Sequence, residues 1–423
     1  MPRILLIVTL CFLIMASGTG CWDSREIDDW AYVYAIGVDK GVADKIRFSI
    51  LIPTYKGPIG GASSSGGSTG PSKSDFKVIS IDCPTLYAGV NLINCALART
   101  LNYTHAKYMV VSEDIAKEGV GPFVNGMRRT RQIRRIMHFI VVRGEASKFL
   151  DELSPTIGTA VSKSLESMMN QEGMTGLFDD TTFGDIINSM KSTKGQTSCV
   201  LGALNDLSHY LPEGSKPPKI IPSGDYYAGE LPIRGVDKPE YLGSVLFRGD
   251  KLVGELNGDE TRVMLMARGE FNRGTMALPD PQKPDMMVAL DVSQQKKPDV
   301  RITFKDGVPL IHLKVFLEAN MTNLQSDVNY ENEKLKPVLE GVYKEYIKKK
   351  LDETIAKCQR VDSDVFRFGD QASMQFLTIQ EWEKYDWLSQ FKEAQITTAV
   401  GFTIRRTGTV LKTNPTIKGQ EME

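Results

Sequence analysis

Short apolar runs alternate with helical patterns through the first half of this chain, and this alternation limits the possible folds more than any other feature. The runs KYMVVSED, HFIVVRG and CVLGAL have the length and apolar content of buried strands. Helical patterns lie between or beside them, across residues 114–129, 146–153, 159–170 and 183–192. Strands that alternate with helices predict a mixed sheet in an N-terminal domain of α/β or α+β type.

The chain before these runs adds a hairpin and a helix. Two β-rich runs, WAYVYAIGVDK and GVADKIRFSILIP, are separated by a connection that contains Gly41, and they predict a hairpin. Residues 57–74 are rich in Gly, Ser and Pro with almost no apolar side chain, which predicts a flexible surface loop. Apolar residues then recur at helical spacing across residues 84–102.

The second half of the chain contains two strand pairs and one long helix. The run YLGSVLFRGDKLVGELNGDETRVML predicts a strand, a turn, a second strand and a short helix. The next two strands surround the turn signal Asp306-Gly307. An amphipathic pattern across residues 336–357 predicts the long helix. A last strand carries four apolar residues on one side, namely Ile396, Val400, Phe402 and Ile404.

These elements are distributed over 423 residues, which is enough for two or three domains. A span rich in Pro and Gly at 211–239 and three prolines between 279 and 284 mark borders. We therefore expect an α+β (mixed α/β) protein of three domains, with mixed and antiparallel sheets flanked by helices. The expected parts are a signal peptide at 1–20, an N-terminal α/β domain at 21–200, a middle domain at 201–278, a C-terminal α+β domain with the long helix at 279–413, and a flexible tail at 414–423.

A short apolar leader precedes these domains and ends at a cysteine. Arg3 is followed by twelve largely apolar residues and then by small ones, which is the pattern of a signal peptide. The apolar run is shorter than the roughly 20 residues that cross a bilayer, so a permanent transmembrane helix is disfavoured. Bacterial lipoproteins carry their lipid on a cysteine at this position, here Cys21, although Gly18 stands where an apolar residue is usual. Ordinary secretion with an incidental cysteine is the alternative.

The charge balance of the chain argues against nucleic acid as a partner, although one segment of the chain is strongly basic. A formal net charge of −1 offers no strongly basic face for nucleic acid. The one dense basic patch is RRTRQIRR at residues 128–135, with five arginines in eight residues. As a functional surface it would meet anionic lipid head groups or an acidic partner. As a structural feature it would be a solvated helix face with acidic neighbours.

Motifs that indicate an enzyme are missing from the sequence. The patterns HExxH, GxxxxGK[ST], GxGxxG and the EF-hand loop do not occur. The run from Ser74 to Lys77 matches SxxK, but it enters a strand, whereas that chemistry needs the serine at the start of a helix. The four histidines have no paired spacing and fit structural roles. We therefore expect no catalytic residue and no cofactor.

Metal ligation and disulfide bonding are also not indicated. The acidic group Asp362, Asp364 and Asp370 has no standard ligand spacing, so capping and turn roles are favoured. The cysteines that remain after the leader and Cys21 are scattered and are expected to be free structural residues, with Cys95 on the apolar side of a helix. These four are Cys83, Cys95, Cys199 and Cys358.

Several blocks together resemble one family in the family's own order. They are GCWDSREIDDWAYVYAIGVDK, HAKYMVVSEDIAKEGVGPFVNGMRRTRQIRR, YLGSVLFRGDKLVGELNGDETRVM, and a last group made of CQRVDSDVFRFGD, the segment with Trp382 and Trp387, and FTIRRTGTV. The family is that of the Ger(x)C or GerAC-like lipoproteins, the C subunits of nutrient germinant receptors in spore-forming bacteria. The resemblance spans nearly the whole chain after the leader.

The resemblance implies a three-domain lipoprotein, lipid-anchored at the outer face of the spore inner membrane and needed for nutrient-triggered germination. The implied partners are the receptor A and B subunits, which are membrane proteins, and membrane lipid attached through Cys21. The family has no assigned catalytic residues, so Cys21 is the only residue carried over, and we expect action by protein–protein interaction. The alternatives are a lipoprotein that captures the germinant itself in a cleft between domains, and an exported hydrolase.

Overall fold

The computed structural model describes residues 26–54, 76–153, 161–206, 222–235, 238–408, 410 and 412–413, together with residues 2–7 and 9, of which 2–7 are helical. The strands are β1 (Trp30–Tyr32), β2 (Ala35–Lys40), β3 (Ile46–Pro53), β4 (Phe76–Cys83), β5 (Thr100–Asn102), β6 (Tyr108–Ser112), β7 (His138–Val142), β8 (Ser198–Leu204), β9 (Pro239–Arg248), β10 (Lys251–Leu256), β11 (Arg273–Pro279), β12 (Met287–Lys305), β13 (Val308–Leu324) and β14 (Gln395–Arg406). The helices are α1 (Leu86–Ala96), α2 (Glu113–Glu118), α3 (Gly121–Met127), α4 (Ala146–Asp151), α5 (Val161–Met169), α6 (Glu172–Thr175), α7 (Phe183–Ser189), α8 (Gly258–Arg268), α9 (Lys336–Arg360), α10 (Phe368–Ala372), α11 (Ile379–Tyr385) and α12 (Trp387–Gln390).

An eight-stranded mixed sheet forms the larger part of the fold. Its strand order is β10-β9-β8-β7-β6-β2-β3-β4. The four strands β8, β7, β6 and β2 run parallel, and antiparallel strands extend the sheet on both sides. The predicted hairpin is confirmed as β2 and β3, with Ala35 opposite Leu51 and Lys40 opposite Ile46. The mixed α/β class expected from the sequence is therefore confirmed.

The parallel strands are buried on both faces, which explains their unbroken apolar runs. In β6, Met109 and Val111 belong to one apolar cluster, while Val110 belongs to the other. Helices α1, α2, α3 and α7 supply the first cluster, and α4 and α5 supply the second. The alternation of strand and helix in the sequence thus becomes a sheet covered by helices on both sides.

The helix predicted across residues 114–129 is wrong in its continuity, because the structure has two helices there. The backbone of Gly119 lies at φ +128, a conformation that residues with a side chain rarely adopt. A Cβ on Gly119 would also lie 2.8 Å from a carboxylate oxygen of Asp250. The chain turns at this point, and α3 starts at Gly121 with Pro122 in its first turn.

A second, four-stranded sheet has the order β11-β12-β13-β14. Strands β12 and β13 form a long hairpin whose turn, Asp306-Gly307, has φ values of +52 and +82, as the turn signal predicts. The last strand, β14, pairs in parallel with β13, with Val315 opposite Val400. Three of the four apolar residues expected on one side of β14 are buried, and Ile396 packs against the same cluster.

Helix α9 covers this second sheet and confirms the predicted long helix. Its buried stripe follows helical spacing: Leu339, Tyr343, Ile347, Leu351 and Ile355. The Tyr343 hydroxyl donates a hydrogen bond to the carbonyl of Val288 at 2.7 Å, and the carbonyl of Met276 lies 3.1 Å from the same oxygen. The helix is therefore held to the sheet by both apolar packing and a buried polar contact.

One of the expected domain borders lies inside a strand of the large sheet. The border between residues 200 and 201 lies within β8, and β9 and β10, from the expected middle domain, pair onward from β8 in the large sheet. One apolar cluster also joins Leu246 and Leu256 to α8, the second sheet and α9. The division into three domains stays a prediction.

Candidate functional site

The basic segment at residues 128–135 lies between α3 and β7 as a run of turns and bends, not as the helix face considered above. Its five arginines are all exposed: Arg128, Arg129, Arg131, Arg134 and Arg135. The next residue, Ile136, is 70% exposed, which is uncommon for so large an apolar side chain. The segment therefore presents cationic and apolar groups to solvent together.

Acidic neighbours do not neutralise this segment within the described part of the chain, where none of its arginines forms an ion pair. Two carboxylates in the adjoining segment of chain at residues 180–185 have other partners. Asp185 accepts hydrogen bonds from the Thr182 hydroxyl and backbone at the start of α7. Asp180 contacts the His138 ring nitrogen Nδ1 at 2.5 Å. The basic segment keeps its positive charge available for a partner.

The segment is positioned by its backbone and by its non-basic side chains. Thr130 and Ile133 line a small apolar cavity with Leu86, Tyr87 and Val90 of the first part of α1. The carbonyl of Arg135 accepts a hydrogen bond of 2.7 Å from the backbone of Gly184. Buried methionines, Met127 and Met137, hold the two ends. Because none of these contacts uses a guanidinium group, the fold orders the segment and leaves the charges free.

The first described strand is linked to this basic segment through β5. Strand β1 pairs in parallel with β5, with Tyr32 opposite Asn102. The next residue, Tyr103, donates its backbone N–H to the side-chain oxygen of Gln132 at 3.4 Å. The basic segment is therefore linked through β5 to β1, the first strand that the structure describes.

Cys21, the predicted lipidation site, lies outside the described residues, as do Cys11 and Gly18. Trp30 follows Cys21 by nine residues and begins β1. Among the helices that the structure describes, none has the length and apolar character needed to cross a bilayer. The role of Cys21 stays a prediction.

The acidic group expected to have structural roles is divided by the fold. Asp364 is fully buried and accepts hydrogen bonds from the Trp387 indole at 2.8 Å and from the backbones of Gly369 and Phe368. Burial raises the pKa of Asp364 to about 6, against the opposing effect of these donors. Asp362 instead pairs with Arg248 at 2.8 Å. The described residues contain no cluster of His, Cys, Asp or Glu arranged to hold a metal ion.

The cysteines differ from the expectation at one position. Cys83, Cys199 and Cys358 are free and buried, but Cys95 is free and exposed. On α1 the buried residues are Leu86, Gly89 and Ile93, and Cys95 lies two residues beyond Ile93, which is more than half a turn around the helix. The placement of Cys95 on the apolar side was wrong for this reason. Ser74 of the SxxK match lies outside the described residues, while Lys77 lies in β4.

A buried polar network joins α8 to the eight-stranded sheet, and no pattern in the sequence predicts it. Arg268, in the last turn of α8, contacts Asp179 at 2.8 Å and Glu270 at 2.6 Å. Ser198 at the start of β8 donates to the same Asp179 carboxylate. Arg268 and Asp179 are 89 residues apart, so only the folded chain brings them together.

The fold and the basic segment define a mixed α/β protein with an eight-stranded, a four-stranded and a two-stranded sheet in the described residues, and with an exposed cationic surface. Two family models match it: "Spore germination protein N-terminal domain" over residues 23–205, and "Spore germination B3/ GerAC like, C-terminal" over residues 242–408. The chain belongs to the Ger(x)C, or GerAC-like, family of spore germination proteins, which is of the germinant receptor C-subunit type. The resemblance found in the sequence is confirmed.

Relatives of similar length support this assignment. The chain is 24% identical to "Spore germination protein KC" of Bacillus subtilis (strain 168) over 98% of each chain. It is 23% identical to "Putative spore germination protein YfkR" over 96% of each chain, and 19% identical to "Spore germination protein B3" over 96% of this chain and 98% of that one, both from the same organism. Among solved structures, the crystal structure of the GerBC protein matches 87% of this chain and 96% of its own, at 16% identity and a TM-score of 0.49.

Proposed function

We propose that this chain is the membrane-anchored C subunit of a spore germinant receptor, needed for nutrient-triggered germination. The observation that carries the proposal is the match of both family domains, in order, over residues 23–205 and 242–408. The proposed partners are the A and B subunits of the receptor, both membrane proteins. The subunit acts by protein–protein contacts rather than by catalysis.

The proposed anchor is lipid on Cys21 at the outer face of the spore inner membrane. A short leader that ends in small residues directly before a cysteine supports this attachment. Two or three acyl chains hold a protein stably at a bilayer, whereas one chain binds reversibly. A tether also raises the effective concentration of the subunit near membrane partners, so weak contacts suffice for assembly.

Metabolic labelling with a fatty acid tests the anchor. We expect the wild-type protein to carry the label, and Cys21→Ala to lose both the label and membrane retention. Cys95→Ala is the matched control, because Cys95 is the exposed free cysteine of the described chain. An unlabelled wild type that still supports germination would contradict the proposal.

Assembly with the membrane subunits is tested separately. Cross-linking in intact spores, followed by affinity isolation of this subunit, is expected to recover the A and B subunits encoded with it. Recovery of neither protein from labelled, membrane-bound wild type would remove the receptor assignment and leave the lipoprotein assignment in place.

Capture of the germinant itself is the alternative function. A cleft of about 650 Å³ is lined by Arg47, Asp82, Ser147 and Lys148, but Arg47 and Asp82 already bind each other at 2.8 Å. This pairing reduces the charge available for a polar nutrient. Calorimetry of the detergent-solubilised protein with amino acids, sugars and nucleosides distinguishes the two functions, since heat of binding supports capture and its absence supports protein contacts.

A further inference from the structure

We propose that the exposed arginines of residues 128–135 bind the anionic phospholipid head groups of the membrane to which the chain is tethered. This inference rests on the membrane attachment in the proposed function. It assigns to the folded domain a second membrane contact, separate from the lipid on Cys21.

The charges of this segment are available for such a contact. All five arginines are exposed, and within the described residues none is engaged by a carboxylate. The planar guanidinium group matches phosphate oxygens with two parallel hydrogen bonds. Basic side chains close to an anionic leaflet each strengthen association about fivefold.

Apolar groups accompany the charges on the same surface. Ile136 directly follows Arg135 and is 70% exposed. Tyr87 is 46% exposed and lines one cavity with Thr130 and Ile133 of the basic segment. Tyrosine is enriched at membrane interfaces, where its ring and hydroxyl meet apolar and polar layers at once. An anionic bilayer would engage the charges at its head groups and the exposed isoleucine at the acyl boundary.

Only a short stretch of chain separates the proposed anchor at Cys21 from β1. The nine residues from Cys21 to Trp30 span at most about 30 Å when extended. Strand β1 then pairs with β5, and Tyr103 after β5 binds Gln132 within the basic segment. The acids Glu26, Asp28 and Asp29 directly precede β1 in the chain, but none of them is paired with the arginines. Lipid on Cys21 would therefore lie within about 30 Å of Trp30, and β1 and β5 connect Trp30 to the basic segment.

A fluorescent probe at residue 136 tests the proposal. The lipidated full-length mature chain carrying Cys95→Ser and Ile136→Cys offers one exposed thiol in the described chain, since Cys83, Cys199 and Cys358 are buried. The labelled protein is placed in vesicles of phosphatidylcholine alone, or of phosphatidylcholine mixed equally with phosphatidylglycerol. Nitroxide lipids in the bilayer then quench the probe according to its depth.

We expect strong quenching in the vesicles that contain phosphatidylglycerol, little in those of phosphatidylcholine, and loss of the difference at high salt. Replacing the five arginines by glutamine should remove the difference. The matched control replaces five exposed lysines of other surfaces by glutamine and should preserve it: Lys251, Lys305, Lys344, Lys384 and Lys392. A probe at Val338→Cys, on α9, reports a different face.

Three outcomes would overturn the proposal. One is equal quenching in both vesicle types, and another is an equal effect of the lysine control. The third is quenching or protection that appears only when the receptor membrane subunits are added, which would assign the arginines to an acidic partner. Failure of the tether itself is recognised separately, because the protein would then carry no fatty acid label at Cys21.

Discussion

The indole nitrogen of Trp387 donates a 2.8 Å hydrogen bond to the carboxylate of Asp364, and both side chains are fully buried. The same carboxylate accepts the backbone N–H groups of Gly369 and Phe368. One acid thus holds the start of α10 and the start of α12 together. Trp387 in turn stacks on Trp382 of α11, so the contact organises the whole set of short helices before β14.

Asp364→Ala should therefore destabilise the protein severely. The change leaves three buried donors without an acceptor, and we expect the free energy of unfolding to fall by about 2 to 4 kcal/mol. Urea denaturation followed by tryptophan fluorescence measures the effect. Asp370→Ala is the control, since this side chain is exposed, and it should change stability little. If the two changes lowered the free energy of unfolding equally, the buried contact of Asp364 would not be the source of the stability.

Glu172 should make stability depend on pH near neutrality. Burial, and after it the carboxylates of Asp179, Asp180 and Glu270, raise the pKa of Glu172 to about 7 from its ordinary 4.5. The folded state therefore holds this proton more tightly than the unfolded chain does. Its stabilising contribution is complete below pH 4.5 and is lost as pH rises through 7.

Glu172→Gln should remove this dependence. At pH 8 we expect the variant to be more stable than wild type by about 1 to 2 kcal/mol, with the difference vanishing near pH 4. Thermal or urea unfolding at a series of pH values measures it, with the exposed Glu345→Gln as control. A difference that stays constant with pH would rule out the titration of Glu172 as its cause.

Arg268→Ala should break the buried network between α8 and the large sheet. Asp179 would remain buried without its cation, and such a loss costs about 3 to 5 kcal/mol. Arg301→Ala removes an exposed arginine that pairs with Asp299 at 2.8 Å and should have little effect, because exposed ion pairs contribute weakly. Unfolding midpoints of the two variants give the comparison. If Arg268→Ala unfolds no earlier than Arg301→Ala, the network does not support the junction.

Replacing each of two glycines that precede the basic segment by alanine should change the free energy of unfolding in opposite directions. Gly119→Ala forces a side chain into a positive φ and against Asp250, and we expect a loss of about 1 to 3 kcal/mol. Gly126→Ala lies within α3 with nothing near its added Cβ, and it should gain about 0.5 to 1 kcal/mol. Unfolding free energies of the two variants test the pair, and a gain from Gly119→Ala would contradict the assigned backbone conformation.

Local patterns predicted most of the elements of this fold. The Asp306-Gly307 turn and the helix starting at Lys336 depend on neighbours a few residues away, so turn chemistry and helical spacing identify them. The pairing of β8 with β9 depends on contacts across a long intervening segment, and periodicity carries no information about that partner. The break at Gly119 was missed although Gly119 and Pro122 are local signals, because the apolar helical spacing was followed across them; the contact with Asp250 depends on the folded chain.

The sequence identified the residues of the basic segment but not whether their charges are paired and exposed in the folded chain. The five arginines of residues 128–135 are visible in the sequence, yet their lack of ion pairs within the described chain is a property of the folded neighbourhood. Exposure of Ile136 likewise depends on how the turns pack. The pairing of Arg268 with Asp179 was not predicted, because the two residues are far apart in the sequence and neither belongs to a recognisable motif.

The parallel pairing of β14 with β13 covers one edge of β13 and so prevents that edge from pairing with another copy of the chain. Strand β13 has seventeen residues, and β14 satisfies the backbone groups along much of one side of it. Without β14, that side would offer unpaired N–H and C=O groups to the same strand of another copy. A chain cut short before Gln395 would therefore be prone to aggregate, even though residues 26–394 contain every strand of the larger sheet.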